Sequence, residues 1–245
     1  MNIVYLIGKD TVLSNSEYPL FLAEVDHKTI LETQVEKFSS LSDLNIIFCV
    51  KKDIIKKYNF DYLIDELTPN AKLVTLDGDT QGSLCSALMT IQYVNNDEEL
   101  VLLAINDFVD SDYNSIINYF RNEHADAGVV SFHSIHPRYS YVRMNDMKQP
   151  LEFCEKKTIS KDALASFYYF KKGSDFIEAA KNVIRKDSPQ NGSFYISMAY
   201  NELILSQKSI AVYQIPNNLY HPLKNEMELA RYVSDYKERE LFKWE

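Results

Sequence analysis

Three short segments hold the side chains best suited to chemistry. Asn106 and Asp107 directly follow an apolar run, LVLLAI (100–105). A carboxylate at a strand end can bind Mg2+ together with substrate phosphates, because Mg2+ takes oxygen ligands and keeps several waters. Asp107 can equally start the turn or cap the helix expected from Tyr113, and on spacing alone the cap is the commoner role. Asp110 and Asp112 form a further acidic pair, and either suits that cap. Thr80, Gln81, Gly82 and Ser83 precede a helical pattern carrying Leu84, Leu88 and Ile91. Backbone amides there, with the Gln81 side chain, can hold a base edge or a phosphate; Thr80 or Ser83 can as well be a plain N-cap. Glu155, Lys156 and Lys157 follow LEFC (151–154). A glutamate can accept from a sugar hydroxyl and a lysine can meet a phosphate, although a solvated loop explains the same residues. His133 and His136 lack acidic partners at ligand spacing and read as strand-end histidines. Neither GxSxG nor HExxH occurs, and Cys and His form no local nucleophile signature.

Positioning these groups requires strands that end beside one another. Runs at 2–7, 45–50, 71–76 and 100–105 are apolar and rich in β-branched residues. Stretches at 30–38, 61–67 and 82–94 between them carry apolar residues at helical spacing. Apolar strands alternating with helices predict a parallel sheet covered on both faces, with right-handed crossovers. Beyond residue 128 the pattern changes: 128–133, 139–144, 150–154 and 165–171 follow one another without long helices, which predicts antiparallel strands added to that sheet. Helices are expected at 173–185, 194–205 and 226–240, and one more strand at 210–215. No linker, repeat or low-complexity tract divides the chain, so residues 1–245 are expected to form one α/β domain. Glycines number only six, so Gly8 at the end of the first strand and Gly82 before a helix stand out as points of close approach to a ligand.

Composition narrows the function classes. Of 245 residues, 46% are hydrophobic, enough for a substantial core. The 26 Lys and Arg against 35 Asp and Glu leave a net charge of −9, which repels nucleic acid. Lys51, Lys52, Lys56 and Lys57 cluster, but at helical spacing beside acids, as on a solvated face. Three widely spaced cysteines, with no CxxC, predict neither a disulfide framework nor a zinc site, and Cys49 within NIIFCV reads as a small buried hydrophobe. The N-terminus has no basic region ahead of its short apolar run, and no stretch is long enough to span a membrane. A cytoplasmic protein is expected.

In order and spacing these segments resemble the sugar-phosphate nucleotidyltransferases that make nucleotide-sugars. The resemblance covers nearly the whole chain. LAEVDHKTILETQVEKF (22–38) is similar to the stretch after that family's Gly-rich loop, and DGDTQGSLCSAL (77–88) to its base-binding loop and helix. AINDFVDSDY (104–113) resembles the strand end bearing the metal aspartate, and LEFCEKKTIS (151–160) the Glu-Lys sugar-phosphate segment. ASFYYFKKGSDF (165–176) resembles the family's next strand and helix, and GSFYISMAYNELI (192–204) a helix of the capsule and surface-polysaccharide branch.

The resemblance implies a mixed, mainly parallel, Rossmann-like sheet, with a nucleotide-binding half (1–127) and a sugar-phosphate half (128–245). It implies joining of a nucleoside triphosphate to a phosphorylated sugar with release of pyrophosphate, for surface polysaccharide synthesis. Asp107 would bind Mg2+; Gly8, Gln81, Gly82, Ser83 and Asn106 would hold the nucleotide; Glu155, Lys156 and Ser166 would line the sugar-phosphate site. Expected partners are a nucleoside triphosphate or nucleotide-sugar and a phosphorylated sugar, with a homo-oligomer as a candidate assembly and neither nucleic acid nor membrane. The chain also departs from the family pattern. Its loop reads Gly8-Lys9-Asp10-Thr11-Val12, without the second glycine and the arginine, leaving Lys9 as a catalytic cation. Pro19-Leu20 stands where the family has Pro-Lys, and HPLKNEMEL (221–229) replaces the segment with a second acidic metal ligand, with Asn225, Glu226 and Glu228 as substitutes. Two further classes therefore stand beside a divergent nucleotidyltransferase: a catalytically silent nucleotide-sugar binder or scaffold, and a glycosyltransferase of the same fold using Asp110 and Asp112.

Overall fold

The computed structural model describes residues 1–8 and 19–242. In chain order the strands are β1 (Asn2–Ile7), β2 (Glu24–Val25), β3 (Lys28–Thr29), β4 (Asn45–Lys51), β5 (Lys72–Leu76), β6 (Leu100–Ala104) and β7 (Asp107–Val109). They continue as β8 (Ala127–His133), β9 (Ser140–Met144), β10 (Pro150–Glu155), β11 (Asp162–Phe170), β12 (Ile210–Gln214) and β13 (Tyr220–Pro222). The helices are α1 (Ile30–Glu36), α2 (Lys52–Tyr58), α3 (Phe60–Leu67), α4 (Ser83–Leu88), α5 (Ile91–Val94), α6 (Tyr113–Asn122), α7 (Gly173–Arg185), α8 (Ile196–Leu205) and α9 (Glu226–Phe242).

Nine of these strands build one mixed sheet in the order β10-β9-β11-β6-β1-β4-β5, with β8 on β11 and β12 on β8. As expected from their apolar character, β6, β1, β4 and β5 run parallel. The strands after residue 128 do add antiparallel pairs, β9 with β10 and β11 with β6, β8 and β9. Side-chain alternation divides the core between the two faces. Ile3, Tyr5 and Ile7 of β1 and Val101 and Leu103 of β6 pack with residues of α1, α3 and α6. Val4, Leu100 and Leu102 point the other way, against α4, α7 and α8.

The helix expected over 82–94 is broken into α4 and α5. The buried Thr90 hydroxyl bonds back to the Ala87 carbonyl at 2.7 Å, competing with the helical ladder. Of the lysine cluster, Lys52, Lys56 and Lys57 lie on α2, which ends where Asn59 turns left-handed at φ 49° and starts α3, whereas Lys51 is the buried last residue of β4 and not part of a solvated helical face. Asp112, a candidate for either cap or ligand, is the N-cap of α6, accepting from the Asn114 and Ser115 amides at 3.1 Å each. Among the described residues no helix is long and apolar enough to cross a membrane.

One irregularity shapes the site. β11 pairs with β8 along one side, but on the other it leaves β6 and joins β9. The register against β8 shifts between Leu164 and Tyr168, and Ser166 in that bulge has φ 51°. A bulge re-aims side chains and bends its strand. The sheet opens here, at the carboxyl end of β6, the edge where open α/β sheets bind ligands.

Candidate functional site

A cleft of about 590 Å³ lies at this edge. Its walls come from the ends of β1 (Ile7, Gly8), β4 (Lys51) and β6 (Asn106, Asp107), and from Thr80, Gly82 and Ser83. The opposite wall holds Arg138, Tyr139, Ser140, Glu155, Lys156, Ser166 and Tyr195, and Tyr220 and Lys224 close it. The three segments singled out in the sequence therefore meet in one cavity. Gln81 is not on its walls: its side-chain amide donates to the Gly192 carbonyl at 3.4 Å, and its own carbonyl accepts from the Phe194 amide at 2.8 Å. Lys9 lies outside the described residues.

Asp107 is fixed from several sides. Its chain segment, β7, pairs antiparallel with β13, so that Asp107 faces Pro222. The buried Gln34 amide donates to the Asp107 carbonyl at 3.4 Å, while Gln34 itself accepts from Tyr5 (2.9 Å) and Tyr113 (3.0 Å). The carboxylate accepts the Tyr220 hydroxyl on Oδ1 at 2.7 Å and the Lys224 ammonium on Oδ2 at 2.8 Å. Burial disfavours its charge, but Lys224, Tyr220 and Ser166 outweigh that and hold the carboxyl below the usual carboxylate range.

Glu155 is the second buried carboxylate. Burial pushes its pKa up; the Ser140 and Ser197 hydroxyls and Lys156 offset part of this, and the charge of Asp107 adds to it. Both hydroxyls bond Oε2, Ser197 at 2.9 Å. Lys156, at φ 51°, turns its ammonium to the Tyr195 hydroxyl at 2.9 Å. Arg138 pairs with Glu228 at 2.7 Å. Lys51 pairs with Asp79. Lys51, Arg138, Lys156 and Lys224 thus line the walls, each beside a carboxylate (Asp79, Glu228, Glu155 and Asp107), in a chain of net charge −9. Four cations gathered at one edge of an acidic chain offer N–H donors to an anionic ligand.

Two of the three substitutes for a second metal ligand, Glu228 and Asn225, are engaged elsewhere. Glu228 is occupied by Arg138 and by the Lys224 amide, which it accepts at 2.9 Å, and Asn225 caps the Glu228 amide at 3.0 Å. Asp110 pairs with Lys37 at 3.2 Å, and neither it nor Asp112 is on the cleft wall. A Mg2+ ion needs near-octahedral oxygen ligation. One or two carboxylates with waters and substrate phosphates suffice for it, but Tyr220 and Lys224 already occupy the two oxygens of Asp107. With this carboxylate neutralised by Lys224, the donor set as it stands does not fit Mg2+. Sequence reasoning missed Lys224 and Arg138; Lys224 lies within the departing HPLKNEMEL stretch, but nothing in its spacing indicated that it turns back onto Asp107.

Gly82 lines the cleft and is also a point of close approach within the protein. At φ 110° it lies against Phe194, where a Cβ would come within 2.3 Å of the backbone carbonyl oxygen. The close approach is between two walls of the protein.

No protein-family model matches the chain, and no curated protein is significantly similar to it in sequence. Solved structures are similar in fold. A nucleoside-diphosphate-sugar pyrophosphorylase from Vibrio cholerae superposes with a TM-score of 0.79 at 17% identity, covering 96% of this chain and 100% of its own. A Bacillus anthracis protein described as a glucose-1-phosphate thymidylyltransferase, in complex with sucrose, gives 0.73 at 16% identity, over 95% and 93% of the two chains. A UDP-glucose pyrophosphorylase complexed with UDP-glucose gives 0.75 at 11% identity, over 97% and 98%. The chain has the mixed, mainly parallel fold of nucleotide-sugar pyrophosphorylases along almost its whole length.

Proposed function

We propose that the cleft takes a nucleoside triphosphate and a phosphorylated sugar and joins them into a nucleotide-sugar, releasing pyrophosphate, as a supply of activated sugar for surface polysaccharide synthesis. The observation that carries this reading is the meeting of Asp107, the 80–83 segment and the Glu155-Lys156 pair in one cavity that Lys51, Arg138 and Lys224 also line. A phosphate oxygen of the sugar attacks the α-phosphorus in line. The new P–O bond forms as the bond to the bridging oxygen breaks, and that oxygen leaves with its electron pair on pyrophosphate. Such a transition state spreads negative charge over the phosphoryl oxygens, so catalysis is chiefly positioning and charge stabilisation. Lys224, Arg138 and Lys156 supply that charge. Glu155 accepts from a sugar hydroxyl, and Gly82, Ser83 and Asn106 border the nucleotide. In this reading residues 1–127 serve the nucleotide and 128–245 the sugar phosphate.

Folded protein incubated with each nucleoside triphosphate and a panel of sugar phosphates should release pyrophosphate with at least one pair. No release across the panel, with or without Mg2+, overturns turnover. A second reading, a nucleotide-sugar binder without turnover, is favoured by the Lys224–Asp107 pair standing where the resemblance places a metal. Calorimetry separates the two: it predicts nucleotide-sugar binding in protein that releases no pyrophosphate.

A further inference from the structure

The cation beside Asp107 belongs to the chain itself. Lys224 follows β13 by two residues, and β13 is tied to the Asp107 segment by strand pairing and by the Leu223 amide donating to the Asn106 carbonyl at 2.8 Å. Glu228 adds a second tie, because one of its oxygens accepts the Lys224 amide at 2.9 Å and the other the Arg138 guanidinium at 2.7 Å. Backbone and carboxylate thus fix the lysine stem, while Asp107 Oδ2 fixes its head at 2.8 Å. The side chain nevertheless remains 36% exposed and is part of the cleft wall. An ammonium has three N–H donors, so one bond to Asp107 leaves capacity for ligand oxygens. A second cation sharing the same carboxylate oxygen would meet like-charge repulsion at close range.

We infer that Lys224 is the resident cation of this cleft: oriented by Asp107, it receives the phosphate oxygens of a phosphorylated ligand of the nucleoside diphosphate class, so that phosphate binding needs no divalent metal. The inference rests on the reading of the cleft as a phosphate-ligand site. Lysine suits the role because it binds phosphate as a compact point charge. Asp107 in turn is a positioning residue: its fixed negative charge holds the ammonium at the end of β6, where Arg138 and Lys156 also line the cavity. A purely structural Lys224–Asp107 pair would support folding and leave phosphate affinity unchanged when altered.

Calorimetric titration with inorganic pyrophosphate and with UDP, in EDTA and again with Mg2+, tests this on the unaltered protein. Binding in EDTA with an affinity within a few-fold of that in Mg2+ is expected. Lys224→Met should weaken binding about tenfold or more, as expected for loss of a charged hydrogen bond, whereas Lys224→Arg should largely keep it. Lys224→Asp should lose binding in EDTA and regain it with Mn2+. Mn2+ alone should bind this variant and not the unaltered protein, read by electron paramagnetic resonance of the free ion. Binding to the unaltered protein only when a divalent ion is present overturns the inference and leaves the phosphate-ligand reading intact. Absence of binding under both conditions removes both together. Folded Lys224→Met that binds as the unaltered protein does also overturns the inference.

Discussion

Two buried carboxylates about the same cleft are driven in opposite directions by their neighbours. Asp107 is held charged by Lys224, Tyr220 and Ser166, whereas Glu155 has two serine hydroxyls and burial, and its pKa is raised. The raised value has a definite sign in stability. Below the unfolded glutamate pKa of about 4.3 both states carry the proton. Above it the folded state alone keeps the proton, so stability falls as pH rises through the folded value, and the loss is complete once the native Glu155 is ionised. Glu155→Gln keeps an acceptor for Ser140 and Ser197 without burying a charge. Denaturant titrations across that range should therefore show a flatter pH profile for the variant and a stability at neutral pH no lower than the parent's by more than about 1 kcal/mol. A large loss at neutral pH would mean that the ionised carboxylate itself supports the fold. At this scale Asp107 and Glu155 stood out in the sequence because each follows a strong strand. Lys224 did not, since its partner is 117 positions away.

The elements explain why these residues meet. β11 changes partner from β6 to β9 at the Ser166 bulge, and that divergence makes room for the cavity. The long strands and α6–α9 were legible because their apolar spacing is sustained over several residues. Short pieces such as β7 and β13 were not, because each has only three residues and exists by pairing with the other. α4 is positioned through Gly82, whose left-handed φ and lack of a Cβ let the Phe194 backbone approach; the Leu84 amide also donates to the Phe194 carbonyl at 3.1 Å. Gly82→Ala should combine a φ penalty with an overpacked backbone contact, and cost about 2–4 kcal/mol. Equilibrium unfolding measures it. A cost under about 1 kcal/mol would show that the 80–83 segment shifts away from Phe194 without penalty.

For the molecule as a whole, the alternation of apolar strands and helices was enough to read a doubly covered, mainly parallel sheet, because that pattern is set by burial on both faces. Which loops meet above its carboxyl edge depends on pairings far apart in sequence, and periodicity carries no such information. The result is an acidic chain with a cavity lined by four cations, fed by both halves of the sequence. Its claimed task is to hold a phosphorylated nucleotide between the 80–83 segment and the Glu155-Lys156 pair, with the phosphates against Lys224. A co-crystal structure with a nucleotide-sugar measures this most directly. The predicted density has phosphate oxygens within hydrogen-bond reach of the Lys224 ammonium, the base beside Gly82 and Ser83, and a sugar hydroxyl on Glu155. A nucleotide-sugar bound elsewhere on the surface, with this cavity holding only solvent, would contradict the account.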